Sequence, residues 1–497
     1  MFRGFFHAAE TRCQELLSCF FRILFPRILE MFYNISSITQ WGGMAVHFLE
    51  LVNRSYTGEV VSKDDWDMEH VVMPMMDIVE EFDLNRENGE LLLHDREQAR
   101  AYFEAGVEFL VRSGVYNQST GRVIRFTREE ILEAARGMPQ AVTVGRGADA
   151  FTFEPRHPDS ARLPGVVAGN PGCPMTEEQF CRTVMSWAKE PVVDMVTCGS
   201  IVEVDGFKVV RASPSEVIAL RRELKYLNEI CAKVGRPGIG RLAAESSVSE
   251  IGDLAAMAPG GFQPGDAHLI ALNNELIITN DNLIRVANAI DTPVFNASLA
   301  CVMVGGLAGG APGAAVCMIA SLLADSLVGR ADYHLCHPIH IKYIATSTPE
   351  CMWLSSAVCQ AFDACAPAVV ICDIYPKSGA GTVELLREVA ANALAITVSG
   401  GHLEGVGSCD GLKPNCSGLE ARLMGEVGKA AAAQGMTRAQ AEPIIARLLD
   451  EYQHIFEKRN EGLPFEEVYG EDGEPRGFWL GMYEEVKNEL IGLGLKL

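Results

Sequence analysis

Residues 235–247, Gly-Arg-Pro-Gly-Ile-Gly-Arg-Leu-Ala-Ala-Glu-Ser-Ser, decide how the rest of the chain is interpreted. They read as a short glycine-rich strand with a polar end, and a run of helical composition, 247–257, follows at once. Pro237 removes a backbone donor and the glycines carry no side chain, so the strand suits a crowded position close to a ligand or another backbone. Taken alone, the stretch is typical of a tight strand-to-helix turn.

The same unit recurs between about residues 162 and 410, where short apolar runs ending in Gly, Asn, Asp, Ser or His each precede a helix-length segment. The predicted strands are 165–169, 192–198, 238–242, 268–272, 293–298, 334–339, 369–373 and 394–400. The predicted helices are 177–189, 215–234, 247–257, 274–290, 313–328, 348–364, 381–393 and 420–434.

Eight alternations of strand and helix predict an α/β fold of the (β/α)8, or TIM, barrel class. The strands are continuously apolar, as a parallel sheet covered on both faces requires. A doubly wound open sheet is the alternative, but it does not need an eightfold count. We expect the barrel to span 162–434, with a helical cap at 44–161 and a helical extension at 435–497.

Composition indicates an ordinary soluble globular protein, with 48% hydrophobic and 22% charged residues among 497. A formal net charge of -23 argues against nucleic acid or an anionic membrane as the main partner. The 15 cysteines are scattered without a C-x-x-C pair, which is typical of reduced thiols in a cytoplasmic protein and indicates neither a disulfide framework nor a zinc site.

Residues 1–43 differ in kind, because they combine many Phe, Leu and Ile residues with four arginines. They have the composition of a basic amphipathic helix lying on a membrane. The arginines interrupt the segment too often for a membrane span, and it lacks the cleavage site of a signal peptide. We favour the alternative that translation begins at Met44, where ordinary composition resumes.

Catalytic groups of a (β/α)8 barrel lie at the carboxyl ends of its strands, so side chains at the predicted strand ends are the candidates for chemistry. These are Asn170, Cys198, Ser200, Leu242, Glu245, Asn273, Asn274, Asn296, His334, His337, His340, Asp373, Tyr375, Ser399, His402 and Glu404. The three histidines 334, 337 and 340 are three apart, and on a strand that spacing alternates faces, so we do not expect them to converge on a metal.

A second glycine-rich segment, Val304-Gly-Gly-Leu-Ala-Gly-Gly310, opens a helix. It lacks both the Gly-x-Gly-x-x-Gly order and a following Lys-Ser or Lys-Thr, so a dinucleotide or phosphate site is not indicated. A rim without side chains at the barrel mouth would instead admit a flat, bulky group.

At these residues the chain resembles the monomethylamine:corrinoid methyltransferases from about Met44 to the carboxyl terminus. The resemblance is carried by Lys63-Asp-Asp-Trp-Asp67, Gly235-Arg-Pro-Gly-Ile-Gly240, Val304-Gly-Gly-Leu-Ala-Gly-Gly310, His334-Leu335 with Pro338-Ile-His-Ile341, Tyr375-Pro376 and Gly418-Leu-Glu-Ala-Arg-Leu-Met-Gly-Glu-Val427. It implies a (β/α)8 barrel, a homo-oligomer, and methyl transfer from a methylated amine to a corrinoid cobalt. The corrinoid (cobalamin) would arrive on a partner protein rather than bind here as a resident cofactor.

The chain departs from that family at the centre of the site. The family carries pyrrolysine three residues before a glutamate, and here Leu242 precedes Glu245 at that spacing. Leu299 occupies the place of a family carboxylate, and Asp373 the place of a glutamine. Without pyrrolysine the resemblance no longer implies an adduct with a primary amine, so we expect another N-methyl compound, preferably a quaternary methylammonium, as donor.

The resemblance and the strand ends together assign the site. We expect Leu242, Glu245, Asp373 and Tyr375 to be catalytic, Asn296, Leu299, His334 and His337 to bind substrate, Gly305, Gly306, Gly309 and Gly310 to face the corrinoid, and no residue to bind a metal. Asp373 and Glu245 also have plain structural interpretations. Asp373 would cap the end of a strand, and Glu245 would place a negative charge at the N-terminus of a helix. The competing functions are a non-catalytic barrel that binds amines or a corrinoid protein as a scaffold, and a different enzyme on the same fold.

Overall fold

The computed structural model describes residues 46–87, 89–272 and 274–497. The predictions for 1–43 and for Asn273 therefore lie outside the described residues. Phe48–Leu497 form one compact unit.

Eight parallel strands close into a barrel, which confirms the predicted fold class. In chain order they are β1 Val166–Ala168, β2 Met195–Val196, β3 Gly240–Ala243, β4 Ala267–Leu272, β5 Phe295–Val304, β6 Tyr333–His340, β7 Val370–Ile374 and β8 His402–Gly405. Each strand pairs with its neighbours in the sequence, and β8 pairs with β1 to complete the circle.

A helix follows each strand and covers the outside of the barrel. These helices are α1 Glu177–Ala188, α2 Pro214–Lys233, α3 Glu250–Ala256, α4 Asn280–Ala289, α5 Ala311–Val328, α6 Pro349–Cys365, α7 Val383–Ser399 and α8 Gly418–Ala433. Side-chain caps start most of them; in α1, for example, Thr176 and Gln179 form a capping box.

Two of the predicted strands were placed wrongly. The run 394–400 belongs to helix α7, and the eighth strand is the next segment, His402–Gly405. The fifth strand was predicted to end at Ser298 but continues to Val304. Both errors arise because an apolar run carries no periodicity that separates a buried strand from a buried helix or marks a strand end.

The amino-terminal end of the barrel is closed by a hairpin, Val142–Val144 with Phe151–Phe153. Phe153 is fully buried among inward-facing side chains, 5.1 Å from the His402 ring between centroids. The hairpin bonds to the strand entries, since Arg146 N donates to Gly238 O over 2.8 Å. Access to the barrel interior is therefore from the carboxyl ends of the strands.

The segment before the barrel is mainly helical. Its helices are Phe48–Thr57, Lys63–Asp65 continued by a π-turn segment Trp66–Val72 and by Met73–Glu81, Arg96–Ser113 and Arg128–Arg136; the hairpin Val115–Asn117 with Arg122–Ile124 separates the last two. Side chains of Ser62 and Thr127 cap two of these helices at their starts. Gly106 lets helix Arg96–Ser113 approach Ile319 of α5 closely, because a Cβ at Gly106 would lie 2.5 Å from that side chain.

Two short two-stranded pairs lie in the loops after β1 and β2. They are Pro174–Met175 with Ser200–Ile201, and Glu203–Val204 with Phe207–Lys208. After the barrel come helices Arg438–Tyr452, Phe465–Val468 and Gly477–Gly492. Trp479 Nε1 of the last helix donates to Ser417 Oγ over 3.1 Å, which ties that helix to the start of α8.

Among the described helices, α5 is the one whose length and composition would suit a membrane span. It is 94% buried within the protein, because it packs between the barrel and the amino-terminal helices. Its apolar surface is therefore buried in the core of the protein.

Candidate active site

An open space lies inside the barrel along strands β4 and β5. Leu269, Ala271, Leu299, Cys301 and Met303 are partly exposed to solvent although they face the barrel interior, whereas their outward-facing neighbours along the same strands are buried. Side chains on the inside of a filled barrel would have no accessible surface. These five residues therefore form a mostly apolar wall of an internal cleft.

A polar row faces this wall at one level of the barrel. Cys301 is the register partner of His337, and Asp373 is the register partner of Glu404. Cys336 pairs with Cys372, so the next inward positions, His337 and Asp373, are also side by side. His337 Nδ1 lies 2.6 Å from Asp373 Oδ2, which joins the two halves of the row.

Glu245 approaches the row from the loop after β3. The buried Glu223 of α2 holds that loop, because its carboxylate accepts from Glu245 N over 3.0 Å and from Ser246 N over 2.6 Å. Ser200 Oγ also donates to Glu245 O over 2.6 Å. The backbone is thus fixed from two sides, while Glu245 Oε1 is buried without a hydrogen-bond partner among the described residues.

Tyr375 presents its ring rather than its hydroxyl. The hydroxyl donates to Pro171 O over 2.8 Å, and the ring centroid lies 4.3 Å from that of His337. Gly407 and Gly411 flank the ring, and a Cβ at either position would lie within 2.7 Å of it. Because the hydroxyl is already engaged, the ring is the part of Tyr375 that remains for a cation.

Burial controls the protonation of this cluster. It raises the pKa of Asp373 to about 7 and raises the pKa values of Glu404 and Glu245 well above the ordinary range, and repulsion between carboxylates adds to the rise for Glu404 and Glu245. Burial also lowers the pKa of His337 to about 3, so the imidazole is neutral and its contact with Asp373 is a hydrogen bond between Nδ1–H and the carboxylate. The pKa of the Cys301 thiol is raised to about 12, which rules out a thiolate at neutral pH.

The carboxyl groups carry no counter-charge from the protein. Asp373 Oδ1, both oxygens of Glu404, and His337 Nε2 are buried without hydrogen-bond partners in the described part of the chain. None of Glu245, Asp373 and Glu404 forms an ion pair with a described Lys or Arg side chain. Arg285 lowers the pKa of Glu245 from a distance, but its guanidinium is bonded to Ser247 O at 2.8 Å.

Leu242 lies below the polar row. It is fully buried in the apolar cluster that fills the barrel, together with Leu335 and Ile371, and Leu299 packs against that cluster. His337 and Asp373 each follow a member of the cluster by two residues on the same strand, which places them one inward position nearer the mouth. Leu242 therefore forms part of the floor of the cleft.

Two predicted substrate-binding residues lie elsewhere. Asn296 is the second residue of the long strand β5, at its amino end, and its amide faces Gly329 and Arg330. His334 points out of the barrel, where Nδ1 contacts Ser298 Oγ at 2.9 Å. The structure places both away from the cleft: β5 continues beyond its predicted end to Val304, which leaves Asn296 near its start, and His334 occupies the outward phase of β6. As expected, His334 and His337 face opposite sides of the sheet.

The predicted glycine rim lies at the mouth. Gly305 and Gly309, with φ of 89° and 80°, turn the chain after β5, and Gly305 N donates to Gly309 O over 2.7 Å. Gly305, Gly309 and Gly310 are exposed, and Gly310 caps the start of α5. The loop is a compact turn that presents backbone to solvent.

Glu404 is the residue that the sequence-based assignment left out. It was among the side chains near predicted strand ends but was not selected, and the eighth strand was predicted at 394–400 rather than at His402–Gly405. Its position on β8, in register with Asp373, was visible only once the helix α7 was recognised. No group of three or more His, Cys, Asp or Glu arranged for metal binding occurs within residues 46–87, 89–272 and 274–497.

Comparison with known proteins places the chain among methyltransferases. The family model for monomethylamine methyltransferase MtmB matches residues 46–495. Monomethylamine methyltransferase MtmB2 of Methanosarcina acetivorans is 30% identical over 455 residues, which cover 90% of this chain and 97% of the relative. MtmB of Methanosarcina mazei is 30% identical over 449 residues with the same coverage.

Solved structures agree with the sequence matches. The crystal structure of the Methanosarcina barkeri monomethylamine methyltransferase superposes with a TM-score of 0.87 at 29% identity, covering 90% of this chain and 98% of that one. The hydroxylamine complex of MtmB gives the same TM-score, identity and coverage. The likeness thus extends over the cap, the barrel and the carboxyl-terminal helices.

Proposed function

The chain belongs to the monomethylamine methyltransferase family, and from this premise we propose that it transfers a methyl group from a methylated amine to the cobalt of a corrinoid held by a separate protein. The donor we propose is a cationic N-methyl compound. The acceptor is a second substrate, presented at the barrel mouth by its carrier protein. The reduced cobalt supplies the nucleophile, and this chain binds and orients the donor.

The observation that carries the proposal is the group of three buried carboxyls, Glu245, Asp373 and Glu404, without a protein counter-charge. A buried carboxylate is costly unless it is paired or hydrogen-bonded. A methylated ammonium ion is the simplest ligand that compensates it. The wall formed by Leu269, Leu299 and Met303 gives the methyl groups an apolar surface on the other side of the same cleft.

This arrangement supports methyl transfer in a defined way. The carboxylates hold the nitrogen, and the ring of Tyr375 adds a face that attracts a cation. A methyl group of the bound donor would then be directed away from the carboxylates, toward the open end of the barrel. When the carbon–nitrogen bond breaks, its electron pair stays on the nitrogen, so the amine departs neutral and the methyl carbon bonds to the acceptor.

Leu242 distinguishes this chain from the pyrrolysine-bearing pattern that its motifs resemble. A leucine forms no covalent adduct with an amine, so the leaving group has to be activated by its own positive charge. A quaternary methylammonium keeps that charge at every pH, whereas an alkylammonium loses its proton near the pKa of about 10.4 typical of lysine. We therefore infer that quaternary donors are preferred to monomethylamine.

The glycine rim is the surface we assign to the corrinoid carrier. Gly305, Gly309 and Gly310 expose backbone at the mouth, so a flat macrocycle can approach the chain closely at these three positions. The inner wall behind the rim, Cys301 and Met303, is accessible from the same side. We expect the protein to act in the cytoplasm as a homo-oligomer, with the corrinoid protein as a transient partner.

Methyl transfer to added cob(I)alamin tests this function. Purified protein with a methylated amine should convert cob(I)alamin to methylcobalamin, and Asp373→Asn should slow the conversion. Glu229→Gln, which changes an exposed carboxyl on α2, should leave the rate unchanged. A scaffold that only binds amines or a corrinoid protein would show no conversion above the rate without protein.

A further inference from the structure

The Asp373 and Glu404 side chains lie side by side on the inside of the barrel in an arrangement that favours a bound proton. They are register partners on the adjacent strands β7 and β8, and three of their four carboxyl oxygens are buried without a hydrogen-bond partner among the described residues. Two carboxylates only repel each other, whereas a carboxyl and a carboxylate form a hydrogen bond. One proton held by the pair therefore relieves the repulsion between the two buried neighbours.

The surroundings offer the pair no other means of compensation. His337 of β6 is its only described hydrogen-bonding neighbour and donates one bond, to Asp373 Oδ2. The other titratable groups that face it are Cys301 of β5, Tyr333 of β6, Tyr375 after β7 and Glu245 after β3, and each of these is neutral or acidic. On its far side, Val167 of β1 is apolar.

We propose that Asp373 and Glu404 are a proton-for-cation exchange pair, which holds one proton while the cleft is empty and releases it when a methylated ammonium ion binds. Glu404 is thereby assigned as a donor-binding residue. The inference rests on the proposed function only in taking the ligand to be a methylammonium cation.

The exchange has a simple consequence for affinity. Below the titration range of the pair, the cation competes with a bound proton, so its affinity falls about tenfold for each unit of decreasing pH. Above that range the pair is ionised before binding, no proton is released, and affinity no longer depends on pH. The pKa of Asp373 is raised to about 7 and that of Glu404 well above its ordinary range, so the empty pair still holds a proton at pH 6.

Titration calorimetry with tetramethylammonium tests the exchange without any corrinoid. This probe has no proton of its own, so any proton released comes from the protein. At pH 6, in two buffers of different ionisation enthalpy, we expect about one proton released per cation bound, and a smaller release at higher pH as the empty pair loses its proton. Glu229→Gln should behave as the wild type.

Variants locate the source of the proton. In Asp373→Asn the amide can donate to Glu404, so the shared proton is no longer needed and release at pH 6 should fall by at least half. Glu404→Gln should do the same. Glu245→Gln should bind more weakly but still release the proton, and loss of release in that variant alone would overturn the assignment to the pair.

Two other results decide the matter. Binding of tetramethylammonium without proton release at pH 6 would overturn the exchange while leaving the cation site intact. Failure to bind at any pH between 6 and 9 would overturn both the exchange and the cation site. Proton-coupled binding in a protein that never methylates cob(I)alamin would support the exchange and contradict only the proposed function.

Discussion

At the scale of single residues, the site is defined by acidic groups that the fold buries and does not pair. Glu245, Asp373 and Glu404 come from three different strands or their loops, yet all reach one cleft. Structural carboxylates in the same protein behave differently: the buried Glu388 accepts bonds from Ser347, Lys377 and Ser378. This contrast separates carboxyls that hold the fold from those available to a ligand.

Glu245 should matter far more for donor binding than Leu242. Replacing Glu245 by Gln removes a charge-assisted contact worth about 1.5–3 kcal/mol, so Kd for tetramethylammonium should rise about tenfold or more. Leu242→Val removes one methylene from the floor of the cleft, and its Kd should change less than about threefold. Calorimetry at pH 8 measures both, and equal losses in the two variants would mean that the cation is not held by Glu245.

Asp373 should make stability depend on pH. Its pKa is raised from 3.8 toward 7, so the folded state keeps a proton that the unfolded state has lost, and its contribution to the free energy of unfolding decreases as pH rises through that interval. Asp373→Asn removes this penalty. The melting temperature of the variant minus that of the wild type should therefore increase from pH 5 to pH 8.

Asp77→Asn, an exposed position on helix Met73–Glu81, is the matched control. Its difference from the wild type should stay constant over the same range. A constant difference for Asp373→Asn as well would show that its carboxyl ionises in the folded protein as it does in the unfolded chain.

At the scale of elements, the sequence predicted the alternation of strands and helices and most of their positions, because a glycine or polar residue lies within three positions after each strand and helix caps are visible at Ser62, Thr127 and Thr176. The eighth strand was missed for a physical reason. Helix α7 is buried nearly all round, so its last turns look like a strand, while the true strand is short and contains His402 and Glu404. Glu404 lies on that strand and was not assigned to the site.

The other errors have the same origin. Which face of a strand points inward depends on register between strands, and register is set by packing that one sequence does not display. His334 and His337 could be recognised as pointing to opposite faces, but which of them faces the cleft follows only from the barrel. The location of Glu245 and Asp373 at strand ends was predicted because it depends on local sequence alone.

The glycine rim should be needed for transfer to a carrier protein and not for donor binding. Gly310 suits the test, since its φ of -70° tolerates any side chain and a Cβ there would meet only Pro312, 3.9 Å away. Gly310→Trp should lower methyl transfer to a corrinoid protein at least tenfold while leaving Kd for tetramethylammonium unchanged. Gly477→Trp, at an open helix start, is the control for added bulk. Unchanged transfer in Gly310→Trp would place the docking surface elsewhere.

At the scale of the whole molecule, family membership and fold extend over the same part of the chain. The family model matches 46–495, and the compact unit is Phe48–Leu497. Residues before Met44 lie outside the part of the chain that the family model matches. We therefore expect the chain truncated to begin at Met44 to keep the solubility, melting temperature and methyl-transfer rate of the full chain. A clear drop in melting temperature after truncation would show that the first 43 residues contribute to the folded unit.

The central claim is that this barrel transfers methyl groups from a cationic N-methyl donor without a covalent adduct. The most direct measurement presents monomethylamine, dimethylamine, trimethylamine and several quaternary methylammonium compounds separately, with free cob(I)alamin as acceptor, and follows methylcobalamin absorbance. We predict turnover of at least one quaternary donor at a rate above that of monomethylamine, and a reduced rate in Glu404→Gln. Faster turnover of monomethylamine would contradict the inference from Leu242, and no turnover of any donor would contradict methyl transfer itself.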